Sequence, residues 1–160
     1  MRSLAILATV ASLTVLAAGC GWSPSSAPPP QPNTCTAADG PAADTVTAEL
    51  ARVAPGQPWR ELDRGNTTDC ALQWVQVGPA DAAATDAPGQ VLFFDHATPI
   101  GTAAPQPRPY LTVVTSGDTV SVQYQWRQGS DPACCPTGIA TVRFQLVDGV
   151  LKALDPIPNG

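Results

Sequence analysis

Two stretches of the chain alternate strictly between apolar and polar residues. Over residues 120–127, Val120, Val122, Tyr124 and Trp126 fall on one side, and Ser121, Gln123, Gln125 and Arg127 on the other. Residues 139–147 repeat the pattern, with Ala140, Val142, Phe144 and Leu146 against Thr141, Arg143 and Gln145. A period of two is the signature of a strand with one buried face. Asp148-Gly149, between Val147 and Val150, is a strong hairpin signal and turns the chain into a short last strand over 150–154. Earlier, residues 70–77 place Cys70, Leu72 and Trp74 on one side. Val91 to Phe94 is a short, continuously apolar run, as a central strand requires. Tyr110 to Thr115 leads into a tight turn at Ser116-Gly117-Asp118. Upstream the period changes. Val46, Leu50 and Val53 share one face of a helix predicted over 41–54, with Pro41 at its first position and Pro55-Gly56 ending it. Trp59 and Leu62 then read as packing on a connecting turn.

Half-polar strands joined by short turns predict an antiparallel sheet with one solvated face. One N-terminal helix covers the other face. The expected fold is therefore α+β: a meander sheet of about five to six strands, one helix packed on it, and disulfide bracing. Residues 128–138 connect two paired strands and put Cys134 and Cys135 at a sheet end.

The N-terminus follows a different logic. Arg2 precedes an apolar run from Leu4 to Ala18, and Leu16-Ala17-Ala18-Gly19-Cys20 closes it. The run is shorter than the ~20 apolar residues a spanning helix needs, and its small residues suit a peptidase groove. The ending resembles a bacterial lipobox, with Ala17 where leucine is commonest. The expectation is a leader over 1–19, cleavage before Cys20, and a diacylglycerol on the Cys20 thiol. Two acyl chains suffice for stable anchoring, at ~0.8 kcal/mol per buried CH₂. Residues 21–34, rich in proline and serine, read as a tether reaching roughly 40 Å when fully extended. Residues 35–160 then form one globular domain.

Charge narrows the function. Beyond the leader, seven Lys and Arg face thirteen Asp and Glu. No basic patch exists for nucleic acid. Four cysteines follow Cys20: Cys35, Cys70, Cys134 and Cys135. An even number in an exported domain predicts two disulfides, with three possible connectivities. Adjacent cysteines close only a strained eight-membered ring. Cys35 and Cys70 are therefore expected each to join one member of the Cys134-Cys135 pair. Zinc-type spacing is absent, and no metal or cofactor is expected. A redox couple at Cys134-Cys135 lacks C-x-x-C spacing, so a structural bridge is the expectation. His96 beside Asp95 is the sole histidine and the sole candidate general base, and it reads as a surface residue. Asp63, Asp69, Asp81, Asp86 and Asp131 read as turn residues. Nucleophile elbows, phosphate loops and metalloprotease motifs are missing from the sequence.

Several segments together resemble one family. They are the lipobox, Asp69-Cys70 with Trp74-Val75, Val91-Leu92-Phe93-Phe94, Ile100-Gly101-Thr102, Pro109-Tyr110, Val122-Gln123-Tyr124-Gln125-Trp126, Cys134-Cys135-Pro136-Thr137-Gly138 and Val142-Arg143-Phe144. In that order they resemble the LppP/LprE family of actinobacterial lipoproteins. The resemblance implies lipid anchoring at the cell envelope and brings no catalytic residues, only the acylated cysteine onto Cys20. The resulting expectation is a non-enzymatic envelope lipoprotein on the outer side of the plasma membrane, presenting a surface to a protein or cell-wall partner. The alternative is a carrier or sensor of an apolar envelope molecule, such as a lipid, held between helix and sheet by Trp74, Phe93, Tyr124 and Trp126.

Overall fold

A computed structural model describes residues 32–159, apart from 57, 82, 83 and 85. The leader, Cys20 and nearly all of the tether thus lie outside the described residues. A short 3₁₀ turn, Ala37–Asp39, is followed by helix α1 (Ala43–Val53). Eight strands come next: β1 (Trp59–Asn66), β2 (Leu72–Pro79), β3 (Gln90–Asp95), β4 (Thr98–Thr102), β5 (Thr112–Ser116), β6 (Thr119–Trp126), β7 (Gly138–Val147) and β8 (Val150–Ala153).

The strands divide into two antiparallel four-stranded sheets, ordered β1-β2-β3-β4 and β5-β6-β7-β8. This corrects the single sheet of five to six strands. The inner face of the first sheet presents Leu72, Trp74, Val91 and Phe93. They pack against Val120, Val122, Tyr124, Val142 and Phe144 of the second. Phe93 and Phe144 meet ring to ring at 4.9 Å. The outer face of the first sheet carries Val75, Val77, Leu92 and Phe94, and α1 covers it with Val46, Leu50 and Val53. The order of layers is therefore helix, sheet, sheet, and β2 and β3 are covered on both faces. Burying a side chain such as Phe93 or Phe94 contributes about 1.5–3 kcal/mol, which makes these two strands the centre of stability.

The missed division has a physical reason. Alternation shows that a strand has one buried face but not which strands share a sheet. The runs Trp74-Val75 and Val91-Leu92-Phe93-Phe94 did carry the signal of two covered faces. Trp59 and Leu62 belong to β1, not to a turn. That strand is an edge, mostly polar, and Leu62 is exposed. Strand β4 was not anticipated either; it is short and only partly covered. The helix starts two residues after Pro41, with Ala42 as its N-cap.

Hairpins follow the turn chemistry. Asp148 and Gly149 both take positive φ, 53° and 73°, as a type I′ turn between β7 and β8 demands. His96, at φ 53°, opens the two-residue turn between β3 and β4, where positive φ is confined to that first position. Polar ties cross the sheet–sheet seam: Trp74 Nε1 donates to Thr115 Oγ1 at 2.9 Å, and Tyr124 Oη to the Ala103 carbonyl at 2.6 Å.

Cys35 bonds to Cys70, and Cys134 pairs with its neighbour Cys135. This overturns the expected cross-pairing. Thr68 N–H donates to Gly117 O, which places the Cys70 end of the first sheet beside the start of β6. Cys134 and Cys135 follow the other end of β6. Eight strand residues, at ~3.3 Å each, separate the two ends by roughly 25 Å, far beyond disulfide reach.

Candidate functional site

The chain crosses between the sheets once, through residues 103–111. Ala103 and Ala104 are buried under the seam. Pro107 and Pro109 flank Arg108, and prolines favour extended backbone in the residue before them. Arg108 accordingly forms a two-way bridge with Gly89, N–H to O at 2.8 Å in each direction. The crossing is thereby held to the entrance of β3.

Next to it lies a groove of about 310 Å³, walled by Pro107, Pro109, Tyr110, Gln125, Trp126 and Arg127, with Arg108 and Asp86 also reaching it. A second cavity of about 260 Å³ shares Arg108 and Tyr110 and continues toward Arg60, Leu62, Gln76 and Leu111. The wall combines two aromatic rings and two prolines with guanidinium and amide groups. Such a surface suits a ligand that has both a flat apolar face and polar or anionic substituents.

The loop after β6 fixes one side of the groove. Asp131 Oδ2 accepts from the Gln128 N–H at 2.8 Å, the Thr137 N–H at 2.8 Å and the Thr137 hydroxyl at 2.7 Å. These bonds, led by that from Gln128, hold the Asp131 carboxyl below its ordinary value of 3.8. Arg127 Nε donates to the Asp131 carbonyl at 2.7 Å, and Tyr110 Oη donates to the Ala133 carbonyl at 2.6 Å. Both groove side chains are thus hydrogen-bonded to the loop that carries Cys134 and Cys135.

The four aromatic residues expected to line a pocket between helix and sheet do not face the helix. Trp74, Phe93 and Tyr124 are buried between the two sheets, and the seam under α1 is filled by Val46, Val75, Val77, Leu92 and Phe94. Trp126 is the member of the set that reaches the groove. It ends β6, where the core gives way to solvent. His96 is exposed on the β3–β4 turn, with Nδ1 at 2.8 Å from Asp95 Oδ1. It does not line the groove. Asp69 caps the approach to β2 by accepting from the Thr67 hydroxyl at 2.5 Å and the Ala71 N–H, the turn role expected of it. Pro107, Arg108, Tyr110 and Arg127, which wall this groove, fall in no motif that marks them together in the sequence. Their one available signal was the Pro-Arg-Pro-Tyr run interrupting the strands.

Among the described residues no cluster of three or more His, Cys, Asp or Glu is placed to hold a metal ion, and no helix is long and apolar enough to cross a membrane. A family model described as LppP/LprE lipoprotein matches residues 64–149, a span from β1 through the β7–β8 turn. Proteins named as the lipoprotein LppP in Mycobacterium bovis and in two strains of Mycobacterium tuberculosis are each 51% identical to this chain over 148 residues, covering 89% of it and 84% of the relative. No solved structure matches the chain.

Proposed function

Because the chain belongs to the LppP/LprE lipoprotein family, we propose that it is a non-enzymatic binding module, held at the outer face of the plasma membrane by a lipid on Cys20, with the groove at Tyr110 and Trp126 as its ligand site. One observation carries this reading: two aromatic rings and two arginines converge on a groove of about 310 Å³ whose wall is fixed by hydrogen bonds. Fixed walls lower the ordering cost of binding. The favoured ligand is an envelope molecule with a flat apolar face, for the rings and prolines, and a polar group, for Arg127 and the Gln125 amide. The carrier reading survives in altered form. Its apolar ligand would rest on Trp126, because the helix–sheet seam is already filled.

Site-directed photo-crosslinking in intact cells tests this. A photoreactive side chain at Gln125, on the groove wall, is expected to give an adduct that one at Thr47, on the exposed face of α1, does not. Trp126→Ala should abolish the Gln125 adduct. Equal labelling from both positions, or none from either, overturns the assignment of the groove. Intact mass of the mature protein tests the anchor separately, and an unmodified Cys20 overturns it.

A further inference from the structure

We propose that the Cys134–Cys135 pair is a thiol-exchange site, opened by an external thiol, and that opening it loosens the groove wall at Tyr110 and Arg127. The first half is independent of any ligand. The second half rests on the groove being the binding site.

The two disulfides differ in what they can do for the fold. Cys35–Cys70 has a Cα–Cα distance of 5.5 Å and bridges a sequence separation of 35. It constrains the unfolded chain substantially. Cys134–Cys135 has a separation of 1. It closes almost no loop and so removes almost no unfolded-state entropy. Its Cα–Cα distance of 3.8 Å is that of any two neighbours across a trans peptide, so the bond holds together no parts of the fold that the chain does not already join. A bond that adds little stability and confines two neighbours to a small ring is poorly explained as a brace. Both of its residues are exposed, whereas Cys35 and Cys70 are partly covered and the Cys35 sulfur sits 3.5 Å from the Thr67 carbonyl. Exposed, geometrically confined disulfides are the labile ones.

Exchange follows ordinary thiol chemistry. A thiolate from a low-molecular-weight thiol or a dithiol oxidoreductase attacks one sulfur of the pair. The Cys134–Cys135 bond breaks, a mixed disulfide forms, and the departing sulfur takes up a proton. A second thiol attacks the mixed disulfide on the reductant's sulfur. The products are two protein thiols and one oxidised reductant, so two electrons and two protons have entered the protein.

The loop connects this event to the groove. Cys135 N–H donates to Pro132 O at 3.0 Å, closing a turn around Ala133 and Cys134. Ala133 O accepts from Tyr110 and Asp131 O from Arg127. Releasing the ring frees the dihedral angles of Cys134 and Cys135, and the carbonyls that hold Tyr110 and Arg127 lie within four residues of them.

The test uses the full-length protein extracted in detergent. It is equilibrated in graded dithiothreitol, quenched with iodoacetamide and mapped by peptide mass. Cys134 and Cys135 are expected to be alkylated at a dithiothreitol concentration at least tenfold below that needed for Cys35 and Cys70. Opening of both pairs at one concentration overturns the proposal. So does alkylation of Cys134 and Cys135 without reductant, or a crosslinked peptide joining either to Cys35 or Cys70. For the coupling, the Arg127 Nε–H resonance is followed by NMR. Selective reduction should shift it in the native protein and leave it unmoved in the Cys134→Ser/Cys135→Ser variant. A resonance unmoved by reduction overturns the coupling. Neither readout requires a ligand, so failure here is distinct from failure of the groove to bind one.

Discussion

The indole of Trp126 lies against the backbone of Gly138, its partner across the β6–β7 ladder. A Cβ at Gly138 would overlap the five-membered ring of the indole. The Cys-Cys-Pro-Thr-Gly segment therefore ends in glycine because the ring that walls the groove occupies the space of a side chain.

Gly138→Ala is expected to destabilise the protein by about 1–3 kcal/mol, the usual cost of forcing an extra carbon into a packed position. The Trp126 ring must shift, so near-ultraviolet circular dichroism should change as well. Urea unfolding monitored by both backbone and aromatic signals checks this.

Tyr124 is buried, and burial pushes its phenol up to about 12 from the ordinary 10.0. The folded state holds the proton more tightly than the unfolded state. Its contribution to stability is therefore complete below pH 10 and is lost as pH rises through about 12. Tyr124→Phe should cost about 1 kcal/mol at pH 7 by leaving the Ala103 carbonyl without its donor. The variant should also lose less stability than the native protein between those two pH values. Urea midpoints across the alkaline range measure both effects.

Asp155 accepts from Arg143 three times: from its backbone N–H at 3.0 Å, Nε at 2.8 Å and Nη2 at 3.0 Å. The guanidinium bonds, and then the backbone bond, draw the Asp155 carboxyl down from 3.8 to about 2. Because the folded value is depressed, the clasp is complete above 3.8 and is lost as pH falls through about 2. The tail after β8 should detach over that interval, with Leu154 N–H, which donates to the Arg143 carbonyl, gaining exchange. Amide exchange of Leu154 measured against pH tests this. Asp155→Asn should show fast exchange throughout.

Replacing Cys35 and Cys70 together with serine should cost about 3–4 kcal/mol, the chain-entropy value for a loop of this length. Thermal unfolding with the two substitutions, compared with the native protein in the absence of reductant, gives the figure directly. A much smaller loss would mean that residues 35–70 stay ordered by their other contacts in the unfolded ensemble.

Strands β6 and β7, the Asp148-Gly149 turn and the inward face of α1 were legible because each expresses a local period or a turn requirement. Trp74 on the inner face of β2 was legible for the same reason. The assignment of β1 was not, because an edge strand such as Trp59–Asn66 needs no alternation when much of both its faces meets water. The partition into two sheets depends on contacts between distant residues, such as Phe93 with Phe144, which no local pattern encodes. The groove was hidden for a related reason. Tyr110 and Trp126 come together only after residues 103–111 have crossed from one sheet to the other. Disulfide pairing failed on distance along β6, a quantity that exists only once the sheet does.

The Cys35–Cys70 bond has a mechanical consequence. Cys70 lies two residues before β2, the strand covered on both faces, and Cys35 precedes everything else in the folded part except Pro32 to Thr34. A pull applied from the N-terminal side therefore travels through a covalent link into the most deeply held strand. Helix α1 and edge strand β1, which lie within the closed loop, carry none of that load. Force entering at Cys35 would thus reach β2 without first peeling the helix or the edge strand away.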